Sequence, residues 1–285
     1  MLATLGDLID DIVVRVAGPI NIASDTSSII TRRRGGSAAN VAAAAALLGR
    51  PVRFLGQVGA DSIGTALVAE LADAGVDTRF VRHTGSTGSI VVLVDAHGER
   101  SMLTDRRTCS ALDEPTRAWL DGVTTLHVPL YSLFDGPTAT TTRTVIDWAN
   151  EAGIAVSLDL SSTALMAAHG ADQVRMLLAE LSPTIVFANQ PEAELLGVSD
   201  LPTNSIVVVK NGEQPAMLMT PPAGSKGGAT VMIPAIGIAD LGDSTGAGDA
   251  FAAGFLTSHD WLDDPAEACV DGHRAAHRVL TDASR

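Results

Sequence analysis

Aromatic residues make up only 4% of this 285-residue chain, and it holds just two cysteines and one tyrosine. Cys109 and Cys269 stand far apart with no second cysteine near either. That excludes a disulfide framework and a cysteine-built zinc site, and it fits a reducing compartment. No apolar run reaches the roughly twenty residues of a membrane span, and no basic segment followed by a hydrophobic stretch opens the chain. A soluble, cytoplasmic protein is expected. Basic residues are also short, nineteen against thirty-three acidic, for a formal charge of −14. Such a field repels nucleic acid and anionic membranes, so neither is expected as a partner. A small anionic ligand remains compatible, because backbone amides and a bound cation can overrule net charge locally.

What is present is a long alternation of strand-like and helix-like segments. Residues 2–5, 11–16, 28–31 and 51–58 read as strands. Residues 37–48 read as a helix of nearly pure alanine and leucine capped by Ser37, and 63–74 as a helix ended by Gly75. Two strands at 89–95 and 100–104 flank the turn Ala96-His97-Gly98-Glu99. From residue 124 the pattern is regular: strands at 124–128, 154–158, 184–187 and 205–209 alternate with helices at 138–152, 174–181 and 191–196. Such alternation predicts an α/β fold, a three-layer sandwich with a mainly parallel central sheet. The segments near 11–31 and 89–104 are expected to form a small separate β-sheet, a lid on a single domain spanning 1–285.

One stretch carries the chemistry: Gly242-Asp243-Ser244-Thr245-Gly246-Ala247-Gly248-Asp249, which runs directly into a helix-compatible segment. Gly246 and Gly248 bracket one alanine, so backbone amides can close around an anion at a helix N-terminus. A dinucleotide fingerprint would need glycine where Phe251 stands. A nucleophile elbow matches Gly242 to Gly246 as a string, but only His273 and His277 in a terminal helix are left to complete a triad. A Walker A loop is excluded, since no glycine-lysine pair occurs. Phosphoryl transfer fits better: the amides hold the phosphoryl group while Asp249 takes the proton of an attacking hydroxyl. The helix dipole is expected to lower the Asp249 pKa.

At this point the chain resembles a known family. The run Asp243 to Asp249 looks like the signature of the ribokinase-like carbohydrate and nucleoside kinases, also called the PfkB family. Gly35-Gly36-Ser37-Ala38-Ala39-Asn40 resembles the family's other signature, and Gly56 to Gly64 is similar to its glycine-spaced turn. The resemblance implies an ATP-dependent kinase that phosphorylates a hydroxyl of a small sugar or sugar derivative. It makes Asp249 the catalytic base and Gly246, Ala247 and Gly248 the anion hole. Asp11, Gly35, Gly36 and Asn40 match substrate-holding positions, and Lys210 and Gly212 match a nucleotide-contacting loop. Asn189 and Glu192 match a motif near magnesium, held through water, although a helix capping box also accounts for that spacing. Asp243 matches a position beside a monovalent cation, so potassium is implied beside ATP and magnesium. Two departures stand out: Pro215 replaces a glycine of the nucleotide loop, and Ser37 stands where some sugar kinases carry lysine.

Other residues have ordinary readings. His273 and His277 are expected on an exposed helix face; Arg32 to Arg34 either guide an anionic substrate or lie in a solvated loop, and Tyr131, after the strand at 124–128, either lines a pocket or serves packing. Asp105 and Arg106 either touch substrate or end an exposed strand. A nucleoside kinase of the same family and a non-catalytic sugar or nucleotide sensor are the alternatives, and a homodimer paired through the lid is compatible with the pattern.

Overall fold

The computed structural model describes residues 1–197, 204–222, 228–237 and 245–281. The first half contains β1 (Leu2–Leu5), β2 (Ile9–Val16), β3 (Ser28–Gly35), α1 (Ser37–Leu47), β4 (Val52–Leu55), β5 (Gln57–Val58), α2 (Ser62–Asp73), β6 (Arg82–His83), β7 (Ser89–Val94) and β8 (Arg100–Asp105). The alternating half follows with β9 (Thr125–Pro129), α3 (Gly136–Glu151), β10 (Ala155–Asp159), α4 (Thr163–His169), α5 (Ala171–Leu181), β11 (Ile185–Asn189) and α6 (Gln190–Leu196). It closes with β12 (Ile206–Lys210), β13 (Ala216–Thr220), β14 (Ala229–Ile233), α7 (Ala247–Thr257) and α8 (Pro265–Thr281).

The main sheet runs β14-β13-β12-β11-β10-β9-β1-β4. The strands from β12 to β4 are parallel, and β13 and β14 add an antiparallel edge. Helices α1, α2, α7 and α8 cover one face, and α3 to α6 the other. Ile185 and Phe187 enter the first core while Val186 and Ala188 enter the second, which is why β11 reads as an unbroken apolar run. Alanine dominates α1 because Ala38, Ala39, Ala42 and Ala45 are fully buried, which lets this helix lie close to α7. Among the described residues no helix is long and apolar enough to cross a membrane.

The expected strand at 51–58 is broken at Gly56, where a Cβ would meet Gly6 O at 2.6 Å, and β5 leaves to pair with β6. Helix α4 had no reading in the sequence; the Ser162 hydroxyl caps it by accepting from Leu165 N. The cap of α1 is Gly36 rather than Ser37. Gly36 has φ 98° and a Cβ there would lie 2.2 Å from Asp7 O, so only glycine serves.

The smaller sheet runs β3-β2-β7-β8, with β2 and β7 parallel and the outer pairs antiparallel. The arginine triplet belongs to β3 and not to a solvated loop. Arg32 pairs with Asp10 at 3.1 Å, Arg33 with Asp11 at 3.8 Å and Arg34 with Glu70 at 2.8 Å. Register places Asp11, Val13, Ile90 and Val92 on one face and Ile12, Val14, Ile30, Val91, Leu93 and Leu103 on the other. Val13 and Val92 are buried, whereas Ile30 and Leu103 are about 60% exposed (61% and 59%). From β8, Arg100 Nη1 donates to Thr245 Oγ1 just before α7.

Candidate active site

Four neighbouring parallel strands deliver the site from their carboxyl ends. Strand β9 hands over to Tyr131, β10 ends at Asp159, β11 at Asn189 and β12 at Lys210. Asp159 is in register with Pro129, and Asn189 with Lys210, so these ends lie abreast. Strand β1 is flanked by β4 and β9, and the direction of winding reverses there; crevices at such a reversal bind ligands. Lys210 follows Val208 by two residues, so it points to the α7 side of the sheet. A polar cavity of about 230 Å³ opens there, lined by Ser37, Tyr131, Asp159, Ser161, Asn189, Glu192, Lys210 and Asp249.

Asp249 lies in the first turn of α7 and is held from α1. Ser37 Oγ donates to its Oδ1 at 2.7 Å and Asn40 Nδ2 to its Oδ2 at 2.9 Å. Burial pushes its pKa up to about 6, although both donors pull the other way. The expected lowering by the helix dipole is therefore reversed: desolvation outweighs the helix end. Gly246, with φ 81°, is the N-cap, and the first-turn amides that follow it have no intrahelical acceptor.

Asp11 is a second, largely buried carboxylate, and among the described residues only its Oδ2 faces a cation, Arg33 at 3.8 Å. Its Oδ1 is buried with no hydrogen-bond partner among the described residues, and burial pushes its pKa up to about 6. A Cβ on Gly35 would lie 2.2 Å from that oxygen, so glycine leaves the room that Asp11 occupies. Gly36 follows, and Asn40 N donates to Gly36 O at 2.9 Å. The glycine pair, Asp11, Asn40 and Asp249 thus form one neighbourhood.

Asn189 and Glu192 form the full capping box of α6. Asn189 Oδ1 accepts from Glu192 N at 2.9 Å, and the Glu192 carboxylate accepts from Asn189 N at 2.8 Å and Nδ2 at 2.9 Å. They also line the polar cavity, so cap and ligand readings are compatible. Burial and the nearby Asp159 push the Glu192 pKa up. Among the described residues no three His, Cys, Asp or Glu side chains converge to coordinate a metal directly. Scattered oxygen donors around a polar cavity fit magnesium held through its water shell. Asp243 lies outside the described residues.

Lys210 Nζ donates to Asp159 Oδ2 at 2.6 Å, and Asp159 Oδ1 accepts from Ser161 N at 3.0 Å. Burial disfavours the ammonium, but Asp159, Glu192 and Asp249 outweigh it and hold the pKa above the ordinary lysine range. Lys210 also borders a second, largely apolar cavity of about 140 Å³, with Gly212, Ile236, Phe251, His273 and His277 among its walls. His273 is 8% exposed, which corrects the exposed-face reading. It meets the Phe251 ring edge-on at 5.0 Å, and its Nε2 has no partner among the described residues.

The model of the pfkB family carbohydrate kinases matches residues 1–284. The chain belongs to this family. An ATP-dependent ribose-1-phosphate kinase of Halopiger xanaduensis is 34% identical over 225 residues, which cover 74% of this chain and 67% of that protein. A probable sugar kinase of Rhizobium etli has a TM-score of 0.84 at 24% identity, over 99% of this chain and 93% of that one. A putative ribokinase II of E. coli, in complex with ATP and Mg2+, has a TM-score of 0.81 at 21% identity, over 98% and 92%. The fold is therefore ribokinase-like, and the chain is a carbohydrate kinase.

In this carbohydrate kinase, Asp159 and Ser161 line the cavity although no motif marks them in the sequence. A strand-ending aspartate next to serines reads as a turn, and only its place at a carboxyl strand end could have marked it. Ser161 has φ 59°, unusual for a serine, and its carbonyl accepts from Tyr131 OH at 2.8 Å. Tyr131 thus lines the cavity rather than serving packing alone. Arg106 lies over the Tyr131 ring at 4.2 Å and pairs with Asp7, while Asp105 stays exposed and pairs with Arg107 at 2.7 Å.

Proposed function

We propose that this kinase transfers the γ-phosphoryl group of ATP to a hydroxyl of a small sugar or sugar derivative, with Asp249 as the base. The observation that carries this reading is the anchoring of Asp249. Both of its oxygens are fixed from α1, and it stands one residue from the glycine-rich turn that opens α7. A carboxylate oriented in that way can accept the acceptor's proton while free amides of Gly246, Ala247 and Gly248 face the phosphoryl oxygens.

In the step itself, the acceptor oxygen forms a bond to the γ-phosphorus. The bond to the β,γ-bridging oxygen breaks, and its electron pair leaves with ADP. The hydroxyl proton passes to Asp249. The unpartnered Oδ1 of Asp11 is suited to accept from another sugar hydroxyl, with Asn40 and the Gly35-Gly36 backbone beside it. The apolar cavity beside Gly212 suits the nucleotide base, and Lys210 stands between base and acceptor. Magnesium, bound near Asn189 and Glu192 through water, would neutralise phosphate charge.

The chain then works as one kinase unit in which the smaller sheet, 9–35 and 89–105, acts as a lid. Closing it keeps water from competing with the sugar as acceptor. The apolar outer face of the lid, with Ile30 and Leu103, supports pairing of two copies through it. The decisive experiment is ADP release with ATP and magnesium over sugars, sugar acids, sugar phosphates and nucleosides. The name of the Halopiger relative brings phosphorylated sugars onto that panel. Turnover on one sugar class, abolished in Asp249→Asn, is the expected result; no turnover on any member would overturn the reading.

A further inference from the structure

The smaller sheet is held at one end and reaches across the molecule at the other. At its root, the Asp61 carboxylate that caps α2 accepts from Thr87 N at 2.8 Å and from Thr87 Oγ1 at 2.6 Å, two residues before β7 begins. Gly88 follows, where a Cβ would lie 2.6 Å from Arg106 O, so the two strands leave the body pressed together. From there β7 and β8 extend through six paired residues, an arm of roughly 20 Å. Its tip is stiff. Asp95 Oδ1 accepts from His97 N at 2.8 Å and from Glu99 N at 2.9 Å, and Gly98 closes the turn with a left-handed φ of 82°. Arg100, the exposed first residue of β8, is therefore carried at the end of a rigid arm. Its Nη1 donates to Thr245 Oγ1 at 2.5 Å, across 145 positions of sequence.

Thr245 immediately precedes Gly246, the left-handed N-cap whose carbonyl accepts the first bond of α7 from Ala250 N at 2.8 Å. A side chain pinned there restrains the backbone that aims the amides of 246–248. Small displacements of such donors lower a rate steeply, because they must meet charge as it develops. The hydrogen bond thus joins two parts that the reaction needs at once: the cover that excludes water and the turn that receives the phosphoryl group.

We infer that Arg100 is a positioning residue: by docking the hairpin tip on Thr245 it makes closure of the lid and ordering of the α7 turn one event. In this role neither side chain touches the reacting atoms. Linkage then requires reciprocity. A polyphosphate that settles on the turn must also quieten the hairpin, and docking of the hairpin must favour the polyphosphate by the same factor.

The test is a double-mutant cycle of Arg100→Met, Thr245→Val and both together, read by hydrogen exchange. Its ligand-free arm stands apart from the kinase reading, on which the nucleotide and turnover arms rest. Arg100→Gln, which keeps a polar side chain at the exposed position, serves if Arg100→Met aggregates. Without ligand, each single variant should speed exchange about fivefold or more in both segments, 94–101 and 246–253, and the double variant should add nothing to either. A merely local structural role would change only the segment that carries the substitution. With the β,γ-imido analogue of ATP and magnesium, exchange at 94–101 should slow about fivefold in wild type and stay unchanged in all three variants. In turnover, kcat should fall about tenfold in each single variant and no further in the double. Exchange changes confined to the mutated segment, or single-variant effects that sum in the double, would overturn the proposal. So would a large loss of kcat in Arg100→Met with none in Thr245→Val, since the arginine would then act without its partner. If the analogue fails to bind wild type the kinase reading falls, and the ligand-free cycle still upholds or overturns the pairing.

Discussion

Replacing Asp249 with asparagine should silence the kinase and stabilise it, and both outcomes follow from burial of the same carboxyl. Its folded pKa is about 6 against an ordinary 3.8, so the folded state prefers the neutral acid. Below pH 3.8 the carboxyl is neutral in both folded and unfolded chains, and the substitution changes little. As pH rises from 3.8 to about 6 the unfolded chain ionises freely while the folded one resists, so wild type loses stability relative to the variant. Above that window the difference is constant. Two pKa units correspond to ~3 kcal/mol, and solvent reaching the cavity brings the expected gain to roughly 1–3 kcal/mol at pH 7. Asparagine fills the same volume: its Oδ1 can accept from Asn40 and its Nδ2 can donate to Ser37. Urea denaturation of both proteins at pH 4, 5, 6 and 7.5 reads the gain, and ADP release reads the loss of about 100-fold or more in turnover. A stability difference that is the same at every pH, or a variant less stable at pH 7.5, would refute the desolvation argument.

Three further outcomes are expected. Ser37→Ala removes a donor that lowers the Asp249 pKa, so the acid limb of kcat/KM should move to higher pH, with a loss of about tenfold below the limb and little change at pH 8.5. Arg53 is 4% exposed and donates to Asp77 at 2.9 Å and to Trp119 O at 2.8 Å; Arg53→Met should cost about 1–3 kcal/mol by leaving the Trp119 carbonyl without that donor, while Asp77 keeps Arg79. Hydrogen bonds from Arg79 and then Arg53 hold the Asp77 carboxyl well below its usual range, so this contribution fades as pH falls below 3.8 and the denaturation difference should narrow there. Ile30→Asp, on the outer face of the lid, should convert a dimer to monomers by light scattering; a wild type that is already monomeric would remove the pairing reading.

The parts of the site legible in the sequence are those where the backbone itself demands a residue type. Gly36 is required by a left-handed φ and a close carbonyl, and Gly246 by a left-handed helix cap, so both mark themselves as glycine. The strand-helix alternation likewise follows from burial on both faces, as in β11 and β12. What stayed hidden depends on register and depth. Asp159 gains meaning only because β10 and β12 bring it to Lys210 across 51 residues. Ser37 is helix-capping chemistry by type, yet the chain turns through Gly36 and frees its hydroxyl for Asp249. His273 shares α8 with the exposed Arg274 but faces Phe251, a distinction that helical spacing could have drawn only with the partner known. The helix end near Asp249 was visible in the sequence, whereas the desolvation that outweighs it was not.

The two hydrogen bonds on Asp249 come from residues 212 and 209 positions earlier in the chain. Almost the entire polypeptide must be made before α7 can dock on α1, and contacts of such separation are slow to form. Until then the aspartate has neither its burial nor its orienting donors. Before that docking, α7 carries the glycine-rich signature while Asp249 lacks the donors that orient it.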